Sequence, residues 1–318
     1  MKRQILCLLL CGLMWETTVL AQSETAAGYE VEESGVSHIL ETLSSDAFEG
    51  REAGTIGINK AAEFLSEFLR KNNVKPFFKS YNDTLSNFDK PTWNVVGYIE
   101  GNDPELKKEF VVFGAHYDHI GIGDKAVKGD RLNNGANDDA SGVTAVAEIA
   151  RYFGTHKTNK RSILIGFFSA EESGLLGSKH LAKKLNKQGF NLYAMLNFEM
   201  IGVPMSAEHT AYITGFSKSN MAERINHYAG KKLVGYLPME FQYQLFIRSD
   251  NYPFFEAFNV PCQTVCTFDF TNYEYYHHVD DEFEQMDTQH MTRFIQSILP
   301  VAEQMTNSPT KEIVLKSK

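Results

Sequence analysis

The amino-acid sequence predicts an α/β fold, a three-layer sandwich in which a mostly parallel, twisted sheet carries helices on both faces. The first observation behind this prediction is that apolar residues alternate along the chain between a strand-like period of about two and a helix-like period of about 3.6. The second is size, because 318 residues, 43% of them hydrophobic, suffice for one large domain with a substantial core. Alternating strands and helices typically pack as layers around a parallel sheet.

The predicted elements follow one another without an internal repeat or an interdomain linker. The strand-like runs cover residues 93–99, 110–115, 162–169, 192–198, 211–214 and 260–268. The helix-like stretches cover residues 58–71, 141–153, 174–186, 217–228, 252–258 and 288–305. Residues 22–306 are therefore predicted to form a single domain, followed by a mobile polar C-terminal tail at 307–318.

The N-terminus has the pattern of a secretory signal peptide. A basic start precedes an apolar stretch from Ile5 to Leu13, and small residues lie before a cleavage site at Ala21. The apolar stretch is short for a membrane span, which favours a cleaved signal over an anchor. The sequence therefore predicts removal of residues 1–21 and export to the periplasm or the medium.

Charge narrows the range of partners. Removal of residues 1–21 takes away Lys2, Arg3 and Glu16, which changes the formal charge from −9 to −10. An acidic exported protein is a poor partner for nucleic acid or anionic lipid, so neither is predicted to bind. No later apolar run predicts membrane insertion of the mature chain, and nothing in the sequence indicates an oligomeric state.

Two cysteines remain in the predicted mature chain, Cys262 and Cys266. Both lie in one predicted strand, where four residues separate the Cα atoms by about 13 Å. This separation exceeds the reach of a disulfide, so the sequence predicts two free, buried thiols.

Five short segments carry acidic residues or histidine close after predicted strands. They lie at residues 114–118, 137–142, 170–174, 197–200 and 276–278. Ligands in α/β folds gather at the carboxyl ends of strands. Histidine nitrogens and carboxylate oxygens are the usual zinc ligands other than thiolate. The sequence therefore predicts a zinc site at this edge of the sheet.

These five segments, in this order, resemble the M28 family of di-zinc peptidases, an aminopeptidase-like clan that also contains glutaminyl cyclases. A further segment at residues 45–51, with Gly54 and Thr55 after it, resembles exported bacterial members of the family. The resemblance runs from about residue 40 to about residue 290. It implies a zinc-exopeptidase-like fold, two Zn²⁺ ions, and peptide substrates with a free N-terminus.

The resemblance also implies the ligands of the first zinc. His116 binds this ion, with Asp118 placed to hydrogen-bond the other ring nitrogen, and Asp138 bridges both ions. Glu199 occupies a position where family members usually have Asp. Because Glu is one methylene longer, the first ion is expected to lie differently or to bind more weakly, which leaves a single bound zinc as the alternative. His119 matches no ligand position and is interpreted as a neighbour of the ligands or as polar surface.

The second zinc, by the same resemblance, is bound by Asp138, Glu172 and His277, with His278 as the competing histidine. Glu171 is implied to be the general base, which moves a proton from the attacking water to the leaving amine. The alternative for the two adjacent glutamates is that they cap the next helix.

Substrate contacts are expected from two further regions. Asp250 matches a family segment near the active site, where it either meets a substrate amine or belongs to a buried hydrogen-bond network. The loop at residues 268–276 has five aromatic side chains in nine residues and ends at Tyr276. It is expected either to line a pocket for an apolar side chain or simply to pack as a loop.

The sequence as a whole predicts an exported zinc-dependent aminopeptidase with two ions that share Asp138. A single-zinc glutaminyl-peptide cyclotransferase on the same fold is the first alternative. A catalytically inactive peptidase-like domain that only binds partners is the second.

Overall fold

The computed structural model describes residues 29–317, so the predicted signal peptide lies outside the described residues. The helices are α1 (Glu33–Leu43), α2 (Ile56–Lys71), α3 (Gly142–His156), α4 (Leu176–Lys187), α5 (Met221–Ala229), α6 (Met239–Tyr243), α7 (Asn251–Phe258) and α8 (Thr288–Asn307). The strands are β1 (Lys75–Pro76), β2 (Asn82–Thr84), β3 (Trp93–Ile99), β4 (Phe110–His116), β5 (Gly121–Val127), β6 (Asp130–Asn133), β7 (Ser162–Phe168), β8 (Leu192–Glu199), β9 (Ala211–Ile213), β10 (Val234–Gly235) and β11 (Cys262–Cys266).

A mixed sheet of nine strands runs through the described residues, in the order β1-β3-β7-β4-β8-β11-β9-β10, with β2 also paired to β3. Its four central strands, β7, β4, β8 and β11, are all parallel. The antiparallel neighbours β3 and β9 extend the sheet on either side. The predicted mostly parallel α/β sheet is confirmed.

The central strands are buried on both faces, which explains their nearly continuous apolar sequence. All seven residues of β7 are buried. In β4, Val111 and Phe113 belong to the core cluster that includes α1, α2, α3 and α8. The neighbouring Val112 belongs to the cluster that includes α4 and α7. Because successive side chains of a strand point to opposite faces, this alternation fixes the three-layer arrangement.

The parallel strands bring distant parts of the chain to one edge of the sheet. In register, His116 at the end of β4 lies opposite Phe168 at the end of β7, and Gly114 lies opposite Asn197 near the end of β8. The segments that follow β4, β7 and β8 therefore begin side by side.

Some elements were not predicted from the sequence, including α1 and the hairpin of β5 and β6. Helix α1 buries Val36, Ile39, Leu40 and Leu43, a helical spacing that the sequence does contain. The hairpin strand β5 is mostly exposed and has no alternating apolar pattern to reveal it.

The C-terminal residues expected to form a mobile tail instead contact the domain. Ile313 is buried, and its backbone N–H donates to the Tyr193 hydroxyl at 2.9 Å. Leu315 forms a β-bridge with Ser219. Burial of an apolar side chain within this polar segment explains the difference.

Two further predictions concern the cysteines and membrane insertion. Cys262 and Cys266 are free and buried, as predicted. Among residues 29–317, no helix combines the length and the apolarity needed to cross a membrane.

Candidate active site

Four side chains from separate segments meet at the carboxyl edge of the sheet. Nε2 of His116 lies 3.2 Å from Oδ1 of Asp138. Nε2 of His277 lies 3.2 Å from Oδ2 of the same carboxylate and 3.1 Å from Oε1 of Glu172. Each oxygen of Asp138 therefore faces a different histidine, which is the arrangement a bridging ligand requires.

His119 joins this cluster as well. It is buried, and its Nδ1 lies 3.2 Å from Oε1 of Glu172 and 3.7 Å from Oδ2 of Asp138. Ligand atoms of His119, Asp138 and Glu172 all lie within 4.8 Å of one another. His119 is therefore not polar surface, and it lies beside the predicted ligands Asp138 and Glu172. It faces the same two carboxylates as His277.

His278 points elsewhere, which distinguishes it from His277. Its Nδ1 accepts a hydrogen bond from the backbone N–H of Asp280 at 3.0 Å. The structure thus directs His277 and not His278 toward Asp138 and Glu172.

The charges of the cluster are those of a cation site. Burial raises the pKa of Glu171 well above its usual range and that of Glu199 to about 7. Burial also acts on Asp138, but hydrogen bonds with His116 and His277 hold the pKa of its carboxyl well below the usual range. The partners of His277 in turn raise its pKa to about 10, against the effect of burial. Imidazolium protons thus balance carboxylates where a divalent cation would replace them. The donor set fits zinc.

The loop that carries Asp138 is held from two sides. It lies between β6 and α3, and the peptide bond from Asp138 to Asp139 is cis. The carboxylate of Asp281 accepts hydrogen bonds from the backbone N–H groups of Asn137 at 2.8 Å and Asp138 at 3.1 Å. The Tyr273 hydroxyl donates to the same carboxylate at 2.6 Å. Asp281 therefore fixes the direction of the Asp138 side chain.

Asp139 ties the same loop to the end of β8. Its Oδ1 accepts hydrogen bonds from the backbone N–H groups of Gly142 at 3.0 Å and Met200 at 2.9 Å. Its Oδ2 is buried and lies 4.0 Å from Nε2 of His116. Asp139 thus fixes the distance between the Asp138 loop and the adjacent Glu199.

Arg51 holds together the segments that lead to His119 and to Asp138. The guanidinium group is buried and donates to four backbone carbonyls, those of Leu43 at 2.5 Å, Asn134 at 2.6 Å, Tyr117 at 2.9 Å and Gly135 at 2.9 Å. The last three carbonyls belong to the segments that lead to His119 and Asp138. Burial lowers the pKa of Arg51 to about 10, so it stays charged at neutral pH. Sequence reasoning assigned no role to Arg51 or Asp281, although both lie within or beside motifs it had noted.

Asp118 connects two of the motifs in a way that differs from expectation. Its carboxylate accepts hydrogen bonds from the backbone N–H groups of Glu171 at 3.1 Å and Glu172 at 3.3 Å. Nδ1 of His116 lies 3.1 Å from the backbone carbonyl of Asp118 and 3.8 Å from its carboxylate. The second distance is too long for a hydrogen bond. The carbonyl therefore orients His116, while the carboxylate orients the two glutamates.

An open cavity gives access to the cluster. Its lining includes His116, Asp138, Glu171, Glu172, Glu199 and Tyr276. The ring of Tyr276 stacks on that of His277, with centroids 4.0 Å apart, and is about half exposed. Of the predicted site residues, all but Asp118, Asp250 and His277 line this cavity.

Asp250 lies behind the cavity. It is fully buried, and none of the residues from 29 to 317 forms a hydrogen bond of good geometry with either carboxylate oxygen. Burial raises its pKa to about 7. Its carboxyl is close enough to Glu171 to raise the pKa of that residue. Asp250 is therefore buried beside Glu171, with Ser178 close enough to lower its pKa, and its two expected roles stay predictions.

A smaller cavity of about 100 Å³ opens beside the first. Its walls are largely apolar and include Met200, Leu245, Cys266, Phe268 and Phe270. Three residues, Glu199, Arg248 and Tyr276, line both cavities. The loop at 268–276 thus supplies part of a pocket wall, as one of its two interpretations predicted.

Comparison with known proteins found relatives that are similar in sequence and others that are similar in fold. A probable zinc metalloprotease of Pyrenophora teres f. teres is 38% identical over 109 residues, which cover 34% of this chain and only 22% of that protein. The LapA aminopeptidase of Legionella pneumophila has a similar structure, with a TM-score of 0.67, 21% identity, and coverage of 87% of this chain and 73% of the other. A Bacteroides thetaiotaomicron glutaminyl cyclase bound to N-acetylhistamine has a TM-score of 0.65 and 19% identity, covering 86% of this chain and 98% of the other.

At these identities the two solved structures show the shared fold alone. The sequence match to the family is broader, because residues 94–302 match the model of peptidase family M28 and so cover more than half of the 318 residues. The chain therefore belongs to peptidase family M28.

Proposed function

We propose that this chain is an exported zinc-dependent exopeptidase, an aminopeptidase that removes N-terminal residues from peptides with the help of two zinc ions. The observation that carries the proposal is the position of Asp138, whose two oxygens each face a different histidine at 3.2 Å. A carboxylate in this position can bridge two ions. The proposal of export rests on the signal-peptide pattern of residues 1–21.

The proposed ligands divide between the two ions. His116 and Glu199 would hold one ion, Glu172 and His277 would hold the other, and Asp138 would be shared. His119 is an additional candidate for the second ion, since it faces the same carboxylates. When bound, zinc would polarise the scissile carbonyl and lower the pKa of the attacking water.

Glu171 is proposed as the general base. Its side chain lines the open cavity beside Glu172 and Asp138, and burial raises its pKa, which makes its carboxylate a stronger proton acceptor. It would take a proton from the attacking water and deliver it to the leaving amine. Asp118 supports both steps, because its hydrogen bonds to the Glu171 and Glu172 backbone hold these residues at the cavity wall.

The smaller cavity is proposed to receive the side chain of the N-terminal residue. Its apolar walls and a volume of about 100 Å³ suit an apolar side chain of moderate size. Tyr276, at the junction of the two cavities, would contact the substrate there. Asp250, which is buried behind the cavity, would act on Glu171 and not on substrate.

The test is a panel of peptides that are identical except for the N-terminus. One member is free, one is N-acetylated and one begins with Gln, and mass spectrometry identifies the products. Loss of the first residue from the free peptides only is the expected result. Hydrolysis of the acetylated peptide at its first bond would contradict an aminopeptidase.

Glutaminyl cyclisation is the second candidate, and Glu199 is the observation that favours it. A longer side chain at this ligand position, with a pKa raised to about 7, is compatible with a first ion that is weakly held or absent. Loss of ammonia from the Gln peptide, with one zinc per chain, would support this candidate. A zinc-loaded protein that changes no peptide would support the third candidate, a binding domain.

A further inference from the structure

The surface of α4, next to the candidate active site, differs in charge from the rest of this acidic chain. The chain has a formal charge of −9, yet α4 contains four lysines, one histidine and no acidic residue. Its apolar residues, including Leu181 and Leu185, are buried against the sheet. The basic residues therefore face outward from the domain.

Two of these basic side chains already have partners. Lys184 forms an ion pair with the buried Asp83 at 2.5 Å, and its Nζ lies 3.9 Å from the centre of the Phe78 ring. His180 lies 3.5 Å from the same carboxylate. These residues fasten α4 to β2.

The other three lysines, Lys179, Lys183 and Lys187, are exposed. Within residues 29–317 none of them forms an ion pair, and Lys179 donates only to the Gly174 carbonyl at 2.9 Å. They are spaced four residues apart and form one row along the helix, which we call the lysine row. A row of unpaired cations raises the local concentration of anionic groups.

The lysine row begins at the active site. Lys179 lines the open cavity that contains His116, Asp138 and Glu171. The same lysine lines a neighbouring cleft of about 490 Å³, together with Lys183, Lys187 and the polar residues Ser86 and Asn87. The cleft therefore continues from the candidate active site along the row.

The two cavities that adjoin the candidate active site differ in size and in lining. On the side of Glu199 and Arg248 it leads to the small apolar cavity of about 100 Å³, which has room for one side chain. On the side of Lys179 it leads to the larger basic cleft. If the first residue of a bound peptide occupies the small cavity, the rest of the peptide would extend along the cleft.

Resting on the proposed aminopeptidase function, we infer that the leaving part of the substrate binds along the lysine row and that the enzyme prefers peptides with acidic residues after the scissile bond. The spacing supports this inference. Successive lysines of the row are about 6 Å apart along the helix axis. Every second side chain of an extended peptide recurs at about 6.6 Å. Acidic residues at alternate positions of the leaving peptide would therefore each meet a lysine.

The test compares three hexapeptides with the same N-terminal residue. This residue is the one that the enzyme removes fastest from a set of aminoacyl p-nitroanilides. After the first residue they read Gly-Glu-Gly-Glu-Gly, Gly-Gln-Gly-Gln-Gly or Gly-Lys-Gly-Lys-Gly. Each kcat/KM is divided by that of the matching p-nitroanilide, which has no leaving peptide. An exposed ion pair changes binding by a factor of about 1.5 to 5, so two pairs predict a preference of roughly ten-fold for Glu over Gln at low salt. This preference should shrink in about 0.5 M NaCl.

Variants assign the preference to the lysine row. In the double variant Lys183→Gln and Lys187→Gln, the ratio of Glu to Gln peptides should fall towards one. The matched control is Lys107→Gln with Lys108→Gln, which removes the same charge before β4, at the opposite end of the strand from His116. The control should keep the wild-type ratio.

The outcomes separate this inference from the proposed function. Equal rates on all three peptides, with the p-nitroanilide hydrolysed, would overturn the inference and leave the aminopeptidase intact. A ratio that falls equally in both double variants would also overturn it, because net charge alone would then be the cause. If no peptide is hydrolysed, the proposed function fails, and the affinities of Glu171→Gln for the labelled Glu and Gln peptides decide the inference alone. Equal affinities would overturn it.

Discussion

The two halves of the candidate metal site differ in how closely their side chains approach one another. In the half formed by Asp138 Oδ2, Glu172, His277 and His119, which we call the histidine half, three separations lie between 3.1 and 3.2 Å. The half formed by Asp138 Oδ1, His116 and Glu199, the Glu199 half, has one such contact, between His116 and Asp138. Burial raises the pKa of the Glu199 carboxyl to about 7.

This difference shows that a shared ligand does not make two sites equal. Asp138 contributes one oxygen to each half, and Asp281 holds the backbone that carries this shared side chain. The remaining ligands come from different strand ends. We therefore expect the histidine half to bind zinc more tightly and the Glu199 half to bind it more weakly.

The largest expected effect is on activity, when either of the adjacent residues Glu171 and Glu172 is replaced by Gln. Glu171→Gln removes the proposed base but no ligand, so hydrolysis should fall by about 10²–10⁴-fold while the zinc content stays near that of the wild type. Glu172→Gln weakens a ligand of the histidine half, so it should lose both zinc and activity, with activity partly restored by added zinc. Kinetics and elemental analysis of both proteins measure the two effects. Loss of zinc in Glu171→Gln but not in Glu172→Gln would exchange the two roles.

The next effect tests whether His119 belongs to the histidine half. If it supports the ion there, His119→Asn should weaken the binding of the tighter zinc by about 10–100-fold in a competition titration with a chelator. His278→Asn is the matched control, because His278 faces Asp280 and not the carboxylates of the site. Unchanged affinity in His119→Asn would leave His119 as a hydrogen-bond partner of Glu172 only.

A smaller effect is expected from Glu199→Asp in the other half. The wild type should approach two zinc ions per chain only with added zinc, since the longer side chain of Glu199 is expected to weaken the binding of the first ion. The shorter side chain should raise the affinity of this ion by up to roughly ten-fold. A wild type that holds two zinc ions after extensive dialysis would contradict the assumed weakness of the Glu199 half.

The smallest effect is a difference in proton release on zinc binding. The pKa of His277 is raised to about 10, so His277 loses a proton to zinc at both pH 6 and pH 8. The pKa of Glu199 is raised to about 7, so its carboxyl is mostly protonated at pH 6 and mostly ionised at pH 8. Calorimetry in buffers of different ionisation enthalpy should therefore detect nearly one more proton released at pH 6 than at pH 8. In Glu199→Gln this pH dependence should disappear, and its persistence would assign the proton to another group.

The sequence predicted the fold class and the segments of the site, but not how those segments are held. The five segments could be recognised because metal-binding residue types follow apolar strand runs, and the parallel strands place those strand ends together. The individual roles of His116, Asp138 and Glu172, like that of His277, came from the resemblance to the M28 family. Arg51 could not be assigned a role, because its partners are carbonyls up to 84 residues away and carbonyls leave no pattern in a sequence. The role of Asp281 depends on the turn at Asn137 and Asp138, a loop geometry that residue spacing does not encode.

Arg51 also has a consequence for where the functional unit begins. The family match starts at residue 94, and every proposed zinc ligand and Glu171 lie after that point. A shortened chain starting there would keep all of these side chains and lose the guanidinium group to which the carbonyls of Tyr117, Asn134 and Gly135 are bonded. Each buried carbonyl left without a donor costs about 1–3 kcal/mol. The smallest active fragment should therefore begin before Glu33, so that it keeps both Arg51 and α1, which carries the Leu43 carbonyl bonded to Arg51.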